Sequence, residues 1–371
     1  MAIYKKCLFN LLLLVMCHYT NSAGASEARA TQAQHQTPFD IEENFEEEYR
    51  LHIAPNFSQG KAGKFVGANG VEIAYASFQP SSNKDGKGIV VISSGRTESY
   101  IKYAEIIYHL GREGYTVYIH DHRGQGFSGR IVQADTQLGH VEDFDLYVDD
   151  LETFIDQIVL PEAGQKKIFL LGHSMGGAVA ALYAARNTAA VDAMALVSPM
   201  MEPRFPVSGF DETRLVCAIT AVSSVFLPAT YISGQGSYDA HPVAFENNDL
   251  THSESRYKKS LQIFDEKQNQ AAKIGGPSRK WVREACKGSA HALESAREIK
   301  IPVLIIQAGA DTAVHNEAQK HFCDLMNTGA SAALCQTYML PGARHAIFME
   351  SDQYRTPALL RILEFFSKNR S

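Results

Sequence analysis

Residues 167–182 read Lys167-Ile168-Phe169-Leu170-Leu171-Gly172-His173-Ser174-Met175-Gly176-Gly177-Ala178-Val179-Ala180-Ala181-Leu182. A continuous apolar run of this kind fits a strand buried on both faces. Small residues that suit a helix follow Gly177. Between the two stands Gly-x-Ser-x-Gly with Ser174 at its centre. Strand, sharp turn and helix in that order expose a serine hydroxyl at the edge of a parallel sheet. Glycines at 172, 176 and 177 allow the close backbone approach such a turn demands. The helix N-terminus behind Ser174 favours negative charge developing there.

Upstream, the pattern repeats. Val71-Glu72-Ile73-Ala74-Tyr75 alternates like a half-buried strand, and Gly88-Ile89-Val90-Val91-Ile92 is apolar throughout. Residues 100–110 read as a helix, 115–119 as a strand and 144–158 as a helix. This alternation runs to about residue 198, the rhythm of a parallel sheet covered by helices on both faces. It breaks over residues 200–298, which carry a short apolar run at 216–227 closed by Pro228. It resumes at Ile301-Pro302-Val303-Leu304-Ile305-Ile306, followed by a strand at 336–340 and a helix at 357–367. The expected fold is α/β, a mostly parallel sheet formed by 49–199 and 299–371, with 200–298 inserted as a cap. Such a cap lies over the strand edge where open α/β sheets bind ligands.

The first 25 residues fall outside this fold. Lys5 and Lys6 precede an apolar run of 7–17 and a small-residue stretch, Ser22-Ala23-Gly24-Ala25, which read as a cleaved export signal. The run is too short to span a bilayer. The alternative is an uncleaved N-terminal anchor. The expected product is therefore periplasmic or secreted, or held at a membrane by the uncleaved segment. Residues 26–48 read as a polar, then acidic, solvated arm, with Glu42, Glu43, Glu46, Glu47 and Glu48 crowded together. Cys217, Cys286, Cys323 and Cys335 remain after the signal. Two disulfides are open to them, Cys217–Cys286 and Cys323–Cys335 if nearest neighbours pair, and so are four free thiols. No pair has CxxC spacing, so neither zinc nor a redox motif is expected.

Of the 371 residues, 45% are hydrophobic and 20% charged, which excludes disordered and collagen-like chains. Lys and Arg number 35 against 41 Asp and Glu, a formal charge of −6. That balance gives no footprint for nucleic acid.

A serine hydroxyl needs a base, and the base an orienting acid. In this strand arrangement the chain order is Ser, then Asp or Glu, then His. Asp311 follows the strand ending near Gln307, and His345 follows the last strand in Pro341-Gly342-Ala343-Arg344-His345. His315 and His321 fall on the helix directly after Asp311. Ser174, Asp311 and His345 thus each follow their own strand and can meet at one sheet edge. An oxyanion hole needs two converging N–H donors. Met175, after the nucleophile, supplies one, and Arg96, in Ser93-Ser94-Gly95-Arg96, is the choice for the other.

With these residues in place, the chain resembles the α/β-hydrolases, and among them the bacterial lysophospholipases related to monoglyceride lipases and serine aminopeptidases. The resemblance rests on residues 95–103 (GRTESYIKY), 121–130 (DHRGQGFSGR), 139–144 (GHVEDF), the turn at Ser174, and, within the cap, 250–253 (LTHS), 275–278 (GGPS) and 281–285 (WVREA). Many members carry His-Gly in the oxyanion loop, where this chain has Ser94-Gly95. The resemblance implies hydrolysis of the single acyl ester of a lysophospholipid, with no metal or cofactor. It implies a cap that supplies an acyl channel, for which Val216, Ile219, Val225 and Phe226 are the candidates. The run at 216–227 is also a candidate for transient contact with a micelle or membrane surface. Arg96, Arg123 and Arg344 are candidates for a headgroup phosphate, the latter two equally for structural ion pairs. Monoacylglycerol hydrolysis, peptide hydrolysis and acyl transfer share the same triad. A non-catalytic lipid-binding module on this fold is the reading from a different class. The oligomeric state is not legible.

Overall fold

The computed structural model describes residues 37–370, apart from 82–85, 188, 208–209, 239–242 and 330–332. The expected export signal at 1–25 and the arm as far as residue 36 lie outside the described residues. Eight strands form one sheet: β1 (Lys61–Val66), β2 (Glu72–Phe78), β3 (Gly88–Ser93), β4 (Tyr115–His120), β5 (Ile168–His173), β6 (Ala193–Val197), β7 (Val303–Ala308) and β8 (Cys335–Leu340). Their order is β1-β2-β4-β3-β5-β6-β7-β8. β2 runs antiparallel to β1 and β4, and the remaining pairs are parallel.

Every residue of β3, β4, β5, β6 and β7 is buried, as their unbroken apolar runs require. Successive side chains point to opposite faces. Val91, Leu170, Met194 and Ile305 join one core with α2 (Asp145–Phe154), α3 (Met175–Arg186) and α7 (Asn316–Asn327). Val90, Leu171, Ala195 and Ile306 join the other with α1 (Ala104–Arg112) and α8 (Asp352–Lys368).

β6 and β7 are neighbours in the sheet, and the chain between them carries α4 (Thr213–Phe226), α5 (Glu254–Asp265) and α6 (Arg279–Glu294). Ser253 and Ser278 cap α5 and α6, accepting from the Arg256 and Trp281 amides. α6 buries Trp281, Val282 and Ala285 in the same core as α3, so the end of the insertion is part of the body. Disulfides join Cys217 to Cys286, linking α4 to α6, and Cys323 to Cys335, linking α7 to β8.

Two elements differ from the sequence reading. β1 was not foreseen: its residues alternate poorly and only Phe65 is buried, as suits a charged edge strand. Residues 37–48 are not a solvated arm. Phe39 and Phe45 are buried, and the Glu42 side chain accepts from the Asp352 amide at 3.0 Å while Asp352 accepts from the Glu42 amide at 2.7 Å. Two buried rings and an acid at the N-terminus of α8 dock this segment. Among the described residues no helix is long and apolar enough to cross a membrane.

Candidate active site

β5 ends at His173 and α3 begins at Met175, leaving Ser174 to turn the chain with φ 52° and ψ −120°. A positive φ is strained for serine, and such strain persists only where the surroundings enforce it. Here the Ser174 N–H donates to Val197 O at 3.1 Å, and Ser174 O accepts from the Met200 and Gly177 amides, each at 2.9 Å. A Cβ on Gly176 would stand 2.1 Å from Ser93 O. Glycine there lets the loop after β3 lie directly against the turn.

The other two residues arrive from the ends of β7 and β8. The His345 Nε2 lies 2.9 Å from Ser174 Oγ. Its Nδ1 lies 2.8 Å from Asp311 Oδ2 and 3.0 Å from Oδ1. Asp311 Oδ1 also accepts from the Ala313 and Val314 amides at 2.8 and 3.1 Å. These donors satisfy a carboxylate that is 5% exposed. His345 is also buried, whereas Ser174 keeps partial solvent access. The structure thus brings the three sequence-chosen residues into one hydrogen-bonded chain. This constellation can lend a hydroxyl proton to an imidazole held in one tautomer by a carboxylate.

Met175 is the first residue of α3, so its N–H has no acceptor within the helix. In the neighbouring loop the Gly95 N–H donates to Glu98 Oε2 at 2.6 Å, while the Arg96 N–H has no acceptor among the described residues. Thr97 holds a φ of 59° in the same loop. Glu98 was quoted in the sequence only as part of a family stretch. Its Oε2 also accepts from the Tyr103 hydroxyl at 2.5 Å and faces His173 Nδ1 at 3.2 Å. Burial works to raise its pKa, but the electrostatic and hydrogen-bonding partners around it, His173, Lys102 and Tyr103, outweigh burial and hold the carboxyl well below the usual range. Glu98 therefore ties the loop after β3 to the residue that precedes Ser174.

The acyl-channel expectation is corrected. Val216 is partly buried, but Ile219, Val225 and Phe226 are 51%, 64% and 78% exposed, with Leu215 and Val222 on the same outer surface. The inward side of α4 carries Thr213, Thr220 and Ser224, and the Cys217–Cys286 bond holds that side against α6. The strongest apolar run of the insertion therefore faces outward. A recess of about 410 Å³ between α4 and α6 is lined by Met201, Cys217, Cys286 and Leu293 together with the polar Glu202 and Arg214. A second recess beside His173, between Tyr49, Lys102, Ile263 and Phe348, encloses only about 40 Å³. Of the arginines, Arg123 pairs with both oxygens of Asp150, at 2.7 and 2.6 Å. Arg344 donates to Asn248 O and Thr251 O, at 3.1 and 2.9 Å. Both are structural.

The sequence matches the family model described as "Serine aminopeptidase, S33" over residues 84–352. It is similar to lysophospholipase L2 of Escherichia coli strain K12, 34% identical over 340 residues, which covers 91% of this chain and 97% of the relative. It is 32% identical to human monoglyceride lipase over 136 residues, 37% of this chain and 42% of that one. Among solved structures, a soluble variant of the Saccharomyces cerevisiae monoglyceride lipase superposes with a TM-score of 0.65 at 18% identity, over 84% of this chain and 95% of the other. That likeness establishes the fold as the α/β-hydrolase one.

Proposed function

Since the chain belongs to the serine aminopeptidase S33 family of α/β-hydrolases and is an ester hydrolase, we propose that it releases the fatty acid of lysophospholipids through an acyl-enzyme on Ser174. The observation that carries this reading is the 2.9 Å contact of Ser174 Oγ with an imidazole anchored on Asp311. Ser174 Oγ attacks the ester carbonyl while His345 Nε2 takes its proton. His345 then gives that proton to the departing glycerophospho alcohol. Water, deprotonated by the same imidazole, attacks the acyl-enzyme and restores the serine. Asp311 keeps His345 Nδ1 protonated and stabilises the imidazolium. The Met175 amide, at the start of α3, and the Arg96 amide, in the loop packed on that turn, receive the oxyanion; neither has an acceptor among the described residues.

Monoacylglycerol hydrolysis is the second reading, favoured by the partial similarity to monoglyceride lipases. Turnover of lysophosphatidylcholine beside monoolein by the purified protein separates the two. Covalent labelling by a fluorophosphonate probe, present in the wild type and absent in Ser174→Ala, tests the nucleophile. Labelling that persists in the variant contradicts it.

We infer that the outward apolar face of α4 rests on the micelle or membrane that holds the substrate. Its contiguous exposed Leu, Ile, Val and Phe side chains support this. We also infer that the enzyme is exported. Its two disulfides support an oxidising compartment. Recovery from the periplasm or medium without residues 1–25 is the expected result, and retention in the cytosol contradicts it.

A further inference from the structure

The Arg96 guanidinium faces no carboxylate among the described residues, whereas those of Arg123, Arg256 and Arg355 all face one. Its Nη2 donates to Gly275 O at 2.9 Å, and its Nε is buried without any partner. The guanidinium lies over the Trp281 ring, 4.9 Å from the centroid. A Cβ on Gly139 would stand 3.2 Å from Nη2, so glycine is what leaves room on that side. The plane is thus fixed between the insertion and the body, yet its donors are largely unused. Burial pulls its pKa down to about 10, so it still carries its charge at neutral pH. The side chain keeps partial access to solvent, but its buried Nε has no acceptor among the described residues, a cost that a bound anion would remove.

Its place in the chain says which ligand. Arg96 stands two residues after Ser94, whose carbonyl oxygen would stand 2.3 Å from a Cβ on Gly176, so the loop that carries Arg96 packs on the turn that holds Ser174. The phosphate of a lysophospholipid lies one glycerol unit beyond the scissile ester, and a planar guanidinium suits a phosphodiester better than any neutral headgroup. We propose that the Arg96 side chain, held flat by Trp281 and Gly139, is the specificity-determining group that takes the headgroup phosphate of the substrate. This rests on the lysophospholipase reading. A monoacylglycerol offers the guanidinium nothing to pair with, so this residue sets the preference between the two ester classes.

The test compares kcat/KM for a lysophospholipid and a monoacylglycerol of the same acyl chain, in the wild type, Arg96→Met and Arg96→Lys, with thermal melting of each. The wild type is expected to prefer the phosphate-bearing ester. Arg96→Met should lower the ratio of the two values about tenfold to a hundredfold, the worth of a charge-assisted hydrogen bond, mainly through KM. Arg96→Lys should restore part of it. A parallel loss on both esters, leaving the ratio as in the wild type, would make Arg96 only a strut between insertion and body and overturn the proposal. Inorganic phosphate serves as competitor. Equal inhibition of both esters by phosphate, lost in Arg96→Met, would assign a free-anion site and also overturn it. A wild type that cleaves the monoacylglycerol but no lysophospholipid would overturn the lysophospholipase reading itself, and this assignment with it.

Discussion

Glu98 Oε2 stands 2.6 Å from the Gly95 amide nitrogen and 3.2 Å from His173 Nδ1, so one buried carboxylate holds both the loop after β3 and the residue before Ser174. The positions of the Arg96 and Met175 amides depend on those two segments. Glu98→Gln keeps the size but removes the charge that faces His173 and Lys102. A small misplacement of reacting groups costs up to about a hundredfold. The variant is expected to lose kcat by about tenfold or more with little change in KM. Steady-state kinetics on a soluble ester checks it, and an unchanged kcat would show that Glu98 serves stability alone.

The outer face of α4 should matter only when the substrate is part of a lipid surface. Val225 and Phe226 are well exposed on that face. The double variant Val225→Asp/Phe226→Asp is expected to cleave a soluble short-chain ester as the wild type does. On lysophospholipid micelles it should be markedly slower, because charge opposes insertion into apolar chains. Equal activity on micelles would remove the surface-contact role.

The Cys217–Cys286 bond closes a loop across a sequence separation of 69 residues. Constraining a loop of that size in the unfolded chain is worth about 2 to 4 kcal/mol. Cys286→Ser is therefore expected to melt several degrees lower, and non-reducing peptide mapping of the wild type should recover the two cysteines in one linked peptide. Recovery of both as free thiols would refute the pairing.

His120 gives a pH dependence with a definite sign. It is fully buried, its ring nitrogens have no partner among the described residues, and its ring lies against His122 at 4.7 Å and Phe154 at 5.0 Å. Burial, reinforced by His122, pushes its pKa well below the ordinary histidine value. The folded state therefore prefers the neutral ring. This contribution is complete above the unfolded value and is lost as pH falls below it, because only the unfolded chain then takes up the proton. Denaturant midpoints measured at about pH 7 and about pH 5 should fall less in His120→Leu than in the wild type. An equal fall in both would assign the dependence to other groups.

Much of this was legible in the sequence, and for physical reasons. The central strands are buried on both faces, so their apolar runs announce themselves. Ser174 and Asp311 each follow such a strand and His345 follows the edge strand β8, so order along the chain brought them together. β1 escaped because an edge strand with lysines and glycine need not alternate. Residues 37–48 misled through their charge: two buried rings, Phe39 and Phe45, outweigh a run of glutamates that faces solvent or pairs. α4 misled in the opposite sense. Apolar side chains were assigned inward, but a disulfide and the small residues around it set the rotation of the helix. Glu98 left only a faint trace, an acid three residues beyond Gly95 whose importance lies in contacts with Tyr103 and His173 that spacing does not reveal.

The most direct measurement is fatty-acid release from lysophosphatidylcholine by the purified wild type beside Ser174→Ala. The account predicts release by the wild type and a loss of several orders of magnitude in the variant, the cost of removing the nucleophile it proposes. Equal rates in the two would contradict it.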